Sequence, residues 1–257
     1  PVNVIHSFWR GEATWLAQKF ANAQGVHHVA TIQGQDALPD NRYLKMIDFS
    51  ALSIAAISAW VAEVFRKTVE QDLPLAVNPW GIAEEDFVDI HGPRSIDVLG
   101  VGNLVAVKNY PLWLEVVALV VARRPGSRAV LIGTGPERSH LEGLISEMGL
   151  QGNIELAGEQ SRSEVLKRMT DARVFLHTAH HEGQGYVFNE ALAQGMRGVS
   201  TPVGAAELSD YWAVHSESEA LARAVLAQLN TPEAPQRRVP VRMANTVAQY
   251  MELYFGK

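Results

Sequence analysis

The strongest constraint on the fold is a regular alternation of short apolar runs with helical patterns in the second half of the chain. Apolar residues recur at helical spacing in residues 113–121 and again in residues 141–148. Five short runs around these segments have the composition of buried strands: residues 97–102, 129–133, 153–157, 173–177 and 197–201. Such alternation predicts an α/β fold with a parallel sheet that helices cover on both faces.

The first part of the chain has the same pattern in shorter form. Strands are predicted at residues 2–5, 29–32, 54–57 and 75–77. Helices are predicted at residues 12–23, with Leu16 and Phe20 facing inward, and at residues 59–69, with Ser58 as the N-cap. A last helix, residues 241–255, carries one stripe of large side chains: Val247, Tyr250, Met251 and Tyr254.

Two aperiodic segments predict the domain boundaries. Residues 82–94 are acidic, and residues 230–240 contain three prolines, so both are predicted to be linkers. The predicted organisation is a first domain at residues 1–88 and a second at residues 89–235. Residues 236–257 form a C-terminal helix that packs back on the first domain.

Composition excludes several classes of protein. A chain of 257 residues is long enough for two domains, and its net charge of −6 argues against nucleic acid as the main partner. The chain has no cysteine, which excludes disulfides and thiolate metal sites and fits a cytoplasmic location. The longest apolar run, residues 113–122, contains Glu115 and is too short to span a bilayer.

One loop carries the pattern of an anion site. Residues 181–195 place Glu182 in a glycine-bracketed loop and Glu190 in the helix that follows. Gly183 and Gly185 allow the backbone to approach a ligand closely, and free N–H groups at the start of a helix favour an anion. Two carboxylates beside such a site suit a diphosphate flanked by hydroxyls, as in a nucleotide-sugar. The alternative is an ordinary strand-to-helix turn with two solvated glutamates.

For several other polar residues, the sequence gives only weak support for a functional role. His177, His180 and His181 cross a strand-to-loop junction and cannot readily converge, so no metal site is expected there. Lys108 is either a phosphate contact or a plain surface lysine. His6 follows the first predicted strand, where it either lines a cleft or is a hydrogen-bonded core histidine.

These motifs resemble those of the retaining GT-B glycosyltransferases of family 4. Glu182 and Glu190 match the family's pair of glutamates separated by seven residues. The resemblance covers nearly the whole chain and includes further segments: Gly102-Asn103-Leu104-Val105-Ala106-Val107-Lys108, Gly133-Thr134-Gly135-Pro136-Glu137, Leu156-Ala157-Gly158, Thr31-Ile32-Gln33-Gly34-Gln35-Asp36 and Asn78-Pro79-Trp80-Gly81-Ile82.

The resemblance implies two Rossmann-like domains of GT-B type and a role for each matched residue. Glu190 would accept hydrogen bonds from the ribose hydroxyls, and Glu182 would hold a hydroxyl of the transferred sugar. Lys108 would neutralise charge on the leaving diphosphate. The implied catalytic residues are Glu182, Lys108 and Gln33. The implied donor-binding residues are Asn103, Lys108, Gly133, Gly135, Gly158, Glu182, Gly183, Gln184, Gly185, Tyr186, Val187 and Glu190.

The activity implied is transfer of a sugar from a nucleotide-diphosphate sugar to a saccharide or lipid-linked acceptor, with retention of configuration. No metal or other cofactor is expected. The expected location is cytoplasmic, and the acceptor could hold the protein at the inner face of the membrane.

Three departures from the family pattern keep two alternatives open. Asn103 replaces an arginine, Gln33 replaces a histidine, and relatives have further strand–helix units before the equivalent of Val2, so the first domain is expected to be partial. A catalytically incomplete nucleotide-sugar-binding fragment, or degenerate homologue, is therefore the first alternative. A GT-B-like sugar-nucleotide epimerase is the second, although it would need a histidine-and-carboxylate constellation that the sequence does not assemble.

Overall fold

The computed structural model describes residues 2–90, 93–206, 211–232 and 236–256. The chain divides into two compact units. The first unit comprises Pro1–Gly81, Glu182–Gly185 and Val241–Lys257, and the second comprises Ile82–His181 and Tyr186–Pro240. Parts of both predicted linkers, residues 91–92 and 233–235, lie outside the described residues.

The first unit contains a four-stranded parallel sheet. Its elements in chain order are β1 (Val4–Phe8), α1 (Glu12–Gln24), β2 (His27–Ile32), β3 (Ser53–Ala56), α2 (Ala59–Val69) and β4 (Leu75–Val77). The strands are hydrogen-bonded in the order β1-β2-β3-β4. The Ser58 hydroxyl accepts a hydrogen bond from the N–H of Val61, which confirms Ser58 as the N-cap of α2.

The second unit contains a six-stranded parallel sheet. Its elements are β5 (Ile96–Val101), α3 (Tyr110–Arg123), β6 (Ala129–Ile132), α4 (Arg138–Glu147), β7 (Ile154–Gly158), α5 (Arg162–Thr170), β8 (Ala172–His177), α6 (Tyr186–Ala193), β9 (Arg197–Ser200), β10 (Trp212–Val214) and α7 (Ser218–Asn230). The strand order is β10-β9-β8-β5-β6-β7. The helix α8 (Met243–Phe255) follows and belongs to the first unit.

Both faces of the six-stranded sheet are buried, as the sequence predicts. Along β5, Val98 packs in one apolar cluster with Trp113 and Val117, whereas the adjacent Leu99 packs in a second cluster with Phe175. Successive strand residues point to opposite faces, so consecutive apolar residues require helices on both sides. The predicted α/β fold with parallel sheets is confirmed.

The predicted inward face of α1 is wrong. Leu16 and Phe20 are 51% and 49% exposed, whereas Thr14 and Gln18 are buried. The hydroxyl of Thr14 donates to the carbonyl of Trp9, and the amide of Gln18 both donates to and accepts from the backbone of Asp48. Polar side chains can be buried on this face because their hydrogen bonds are satisfied there.

The predicted apolar stripe of α8 is only partly correct. Tyr250 is buried, but Val247 and Met251 are exposed. Tyr250 and Tyr254 instead lead into a polar network with β1 and β2. The Tyr254 hydroxyl and His6 Nδ1 share a hydrogen bond of 2.6 Å, and Thr31 Oγ1 contacts His6 Nε2 and the Tyr250 hydroxyl at 2.8 and 3.0 Å. His6 is therefore a hydrogen-bonded, half-buried histidine.

The boundary between the units falls at Gly81 rather than at the predicted residue 88. The reason lies in Gln194, which is fully buried. Its amide accepts from the N–H of Val88 at 3.0 Å and donates to the carbonyl of Asp86 at 2.9 Å, and its own carbonyl accepts from the guanidinium of Arg94 at 2.6 Å. These bonds attach the start of the predicted linker to the second unit.

Two histidines of the first unit make its stability depend on pH. Burial lowers the pKa of His6 from 6.5 to about 4, and His28 adds to this effect. Burial likewise lowers the pKa of His28 to about 4, with a contribution from His27. The unfolded chain therefore binds protons that the native state excludes. The contribution of these two histidines to stability is complete above pH 6.5 and is lost as the pH falls toward 4.

We expect the free energy of unfolding to fall by about 1–2 kcal/mol for each of these two histidines between about pH 7 and about pH 5. Urea denaturation at both pH values would measure the loss. His28→Gln should reduce it, because the substituted side chain does not titrate. His140→Gln is the matched control, since His140 is an exposed histidine of α4. An equal loss in all three proteins would contradict the prediction.

Candidate functional site

Glycine-containing turns follow β5, β6 and β7 at their carboxyl ends, and hydrogen bonds connect these turns to one another. The N–H of Gly133 donates to the carbonyl of Gly158 at 2.9 Å, and the N–H of Leu104 donates to the carbonyl of Thr134 at 2.8 Å. Gly133 has φ +148°, and a Cβ at this position would lie 1.9 Å from the carbonyl oxygen of Gly102. Only glycine fits such a close approach. The predicted donor-binding residues Gly133, Gly135 and Gly158 thus lie at one edge of the sheet, where open α/β folds bind ligands.

The loop after β5 carries Asn103 and Lys108 at the same edge. Asn103 is exposed, and Lys108 ends a short 3₁₀ turn and is half-buried. The aliphatic part of Lys108 lies over Gly102, with Cε 3.6 Å from the position that a Cβ would take. The hydroxyl of Thr178 donates to the carbonyl of Lys108, and the N–H of His180 donates to that of Val107 at 2.8 Å. These bonds fix the loop to the end of β8.

The loop that contains Glu182 is anchored within the first unit. The hydroxyl of Ser58 donates to the carbonyl of Gly183 at 2.6 Å. A Cβ on Gly183 would lie 2.0 Å from the carbonyl oxygen of Gln33, so these two predicted site residues are in direct contact. The N–H of Gln33 is in turn bound by the Asp36 carboxylate at 2.9 Å. Glu182 precedes this contact and is half-buried.

The side chain of Gln184 is hydrogen-bonded to the backbone of Trp80, within the first unit. Its side-chain oxygen accepts from the N–H of Trp80 at 2.9 Å, and its amide donates to the carbonyl of Trp80 at 2.7 Å. The side chain is buried. In this structure its side chain therefore holds the loop to Trp80.

The helix α6 begins directly after the loop. Gly185 adopts φ +73°, Tyr186 and Val187 form the first turn, and Glu190 lies within the helix. Glu190 belongs to the second unit, whereas Glu182 belongs to the first. Burial raises the pKa of Glu190, and a hydrogen bond from Arg162 opposes that shift.

Sequence reasoning missed Arg162, which binds Glu190, and Asp86, which binds Arg162. Arg162 Nε donates to Glu190 Oε1 at 3.0 Å, and its two terminal nitrogens donate to the Asp86 carboxylate at 2.6 and 2.8 Å. Hydrogen bonding to Asp86 raises the pKa of Arg162. Asp86 lies 76 residues from Arg162 in the acidic segment. No periodic signal connects the two positions.

The three histidines near β8 differ in their surroundings. His177 is buried against Phe175 and Phe188, whereas His180 is exposed. Within the described residues, no cluster of three or more histidine, aspartate and glutamate side chains could hold a metal ion. Among these same residues, no helix combines the length and apolar character that crossing a bilayer requires.

Residues 83–239 match the model of the family described as "Glycosyl transferases group 1". The chain is 35% identical over 104 residues to the lipopolysaccharide core biosynthesis glycosyltransferase LpsE of Rhizobium meliloti, a match that covers 40% of this chain and 29% of the relative. It is 29% identical over 133 residues to the phosphatidylinositol N-acetylglucosaminyltransferase gpi3 subunit of Schizosaccharomyces pombe, over 51% of this chain and 29% of the relative. The matches thus span less than a third of these relatives.

Solved structures are similar over nearly the whole chain. A glycosyltransferase from Rickettsia africae superposes with a TM-score of 0.78 at 16% identity, over 98% of this chain and 76% of that one. The Anabaena protein HepE, in complex with UDP and glucose, superposes with a TM-score of 0.74 at 15% identity, over 98% of this chain and 74% of that one. These likenesses confirm the predicted GT-B type of fold.

Proposed function

The chain belongs to the group 1 glycosyl transferases, and from that premise we propose that it transfers a sugar from a nucleotide-diphosphate sugar to a saccharide or lipid-linked acceptor with retention of configuration. The observation that carries the proposal is Glu190, a largely buried carboxylate on the helix that follows the glycine-bracketed loop. Its Oε1 accepts a hydrogen bond from Arg162, and a carboxylate has further acceptor sites, for which ribose hydroxyls are strong partners.

Each proposed role follows from what a nucleotide-sugar requires. Glu190 accepts from the ribose hydroxyls, and the N–H groups of residues 185–187 face the diphosphate, as the start of a helix favours. Lys108 stabilises the charge that develops on the leaving diphosphate, which is the largest electrostatic demand of the reaction. Glu182 orients the transferred sugar through a hydroxyl, and Gln33 lies beside the reacting sugar.

The glycines permit the close backbone approach that the nucleotide needs. Gly133 and Gly135 line the diphosphate, and Gly158 lines the base. No divalent metal takes part in donor binding, because the helix dipole and Lys108 supply the positive field. The cytoplasm supplies nucleotide-sugars, and we place the protein there.

Calorimetric titration with UDP, GDP and ADP in the presence of a chelator tests this proposal. We expect one of the three nucleotides to bind without metal, because the start of α6 and Lys108 supply the positive field for the diphosphate. Failure of all three to bind would contradict the function. Binding that appears only after Mg²⁺ or Mn²⁺ is added would contradict metal independence alone.

Stereochemistry and transfer are tested with the sugar donor of the nucleotide that binds. Slow hydrolysis of that donor should release the sugar first in the anomeric form that it has in the donor, which proton NMR resolves. Release of the opposite anomer would contradict retention. Tight donor binding without hydrolysis or transfer would favour the first alternative, a catalytically incomplete protein that binds nucleotide-sugars. Asn103 and Gln33, which depart from the family pattern, would then account for the missing activity.

A further inference from the structure

Arg162, the first residue of α5, connects Glu190 to a second carboxylate. Its guanidinium makes a bidentate contact with Asp86 and a single bond to Glu190. The side chains of Asp86 and Glu190 are each 12% exposed, whereas that of Arg162 is 50% exposed. The guanidinium is thus the exposed member of a cluster whose two carboxylates are mostly buried.

The division of hydrogen bonds within this cluster is unequal. The Asp86 carboxylate accepts a hydrogen bond from each terminal nitrogen of Arg162. Two parallel bonds permit little rotation, so they fix the plane of the guanidinium. Nε is then left to contact Glu190 through Oε1 alone. The second oxygen, Oε2, makes no hydrogen bond with any residue that the structure describes. One oxygen of Glu190 is therefore held while the other remains available to accept a hydroxyl.

We propose that Arg162 is a positioning residue for the nucleotide, which holds the Glu190 carboxylate through Oε1 so that Oε2 accepts a ribose hydroxyl, while Asp86 fixes Arg162. This inference rests on the proposed role of Glu190 in binding the donor. It adds two residues, Arg162 and Asp86, to the determinants of nucleotide affinity.

The electrostatics of the cluster support the same role. Burial raises the pKa of Glu190, the nearby Asp86 raises it further, and Arg162 opposes both effects. Tyr186 is a further titratable group in the cluster, and its hydroxyl lies 3.5 Å from Arg162. Removal of Arg162 would take away the cation that Asp86 and Glu190 share. Glu190 would then bind a proton at higher pH and become a weaker acceptor.

The test compares ribose with deoxyribose ligands. The affinities of UDP, GDP and ADP and of their 2′-deoxy forms are measured by calorimetry on the parent, Arg162→Gln and Arg162→Lys. We expect Arg162→Gln to bind the preferred ribonucleotide about tenfold more weakly and to discriminate less between ribose and deoxyribose. Its affinity should also fall more steeply than that of the parent as the pH is lowered toward about 6.

Arg162→Lys should lower the discrimination as well, because an ammonium cannot form the fixed fork. This variant also keeps the test decisive if Arg162→Gln does not fold. Arg128→Gln is the matched control: Arg128 is paired with Glu155 at 2.9 Å but precedes β6, at the opposite edge of the sheet. It should behave as the parent does.

A Glu190→Gln variant separates this inference from the proposed function. If Glu190→Gln abolishes the preference for ribose while the folded arginine variants retain it, Arg162 is not a positioning residue although Glu190 binds ribose. If Glu190→Gln also retains the preference, the role of Glu190 itself is wrong. Tighter binding by Arg162→Gln would overturn the inference differently, because Arg162 would then compete with the nucleotide for Glu190.

Discussion

Replacement of Glu190 by alanine is expected to weaken nucleoside diphosphate binding by about 1.5–3 kcal/mol, a roughly ten- to hundred-fold loss of affinity. The ribose hydroxyls lose a charged acceptor. Arg162 loses a partner in the free and the bound protein alike and keeps its bonds to Asp86, so this change does not itself alter binding. Calorimetry with the nucleotide that the parent prefers would measure the change.

The matched control for this variant is Glu219→Ala. Glu219 is also bound by an arginine, Arg123, at 2.9 Å, but both side chains are well exposed on α7 and α3. Exposed pairs contribute little to stability, so this variant should bind nucleotide as the parent does. If the Glu190→Ala protein and its parent bound nucleotide with equal affinity, Glu190 would not contact the nucleotide. The ordinary strand-to-helix turn would then be the better interpretation.

Most of the fold could be predicted because its strands are buried on both faces. Consecutive apolar residues such as Val98 and Leu99 leave a signal that does not depend on partners distant in sequence. The strand β10 was missed because its three residues, Trp212–Val214, are too few to show a period. The inward face of α1 was predicted wrongly for a different reason. Thr14 and Gln18 are buried through specific hydrogen bonds, which hydrophobic periodicity does not record.

The candidate site divides in the same way. Gly183 could be identified from the loop pattern because close backbone approach restricts this position to glycine, and Gly133 could be identified from the family resemblance. The role of Gln184 could not, since its partner is the backbone of Trp80, more than a hundred residues away in the chain. Arg162 and Asp86 were missed because an ion pair between distant residues leaves no local pattern. Local backbone requirements are thus readable from one sequence, whereas pairings made by tertiary contacts are not.

Replacement of Lys108 by alanine is expected to remove most of the diphosphate contribution to binding and to leave the nucleoside contribution in place. Asn103 offers a neutral amide where the family pattern has an arginine, so Lys108 supplies most of the positive charge in this loop. The loop should keep its conformation in the variant. Its anchors are hydrogen bonds from Thr178 and His180 to backbone carbonyls, which the substitution retains.

The complementary change is Asn103→Arg, which should tighten diphosphate binding several-fold, because an arginine fork makes two charge-assisted bonds where the amide makes neutral ones. Asn103 is exposed, so the larger side chain meets no buried neighbour. Titration of each variant with a nucleoside and with its diphosphate separates the two contributions. Lys67→Ala is the control, because Lys67 is a surface lysine of the first unit paired with Glu63. If Lys108→Ala lowered the affinity for nucleoside and diphosphate equally, or for neither, Lys108 would not be a phosphate contact. Lys108 would then be an ordinary surface lysine of this loop.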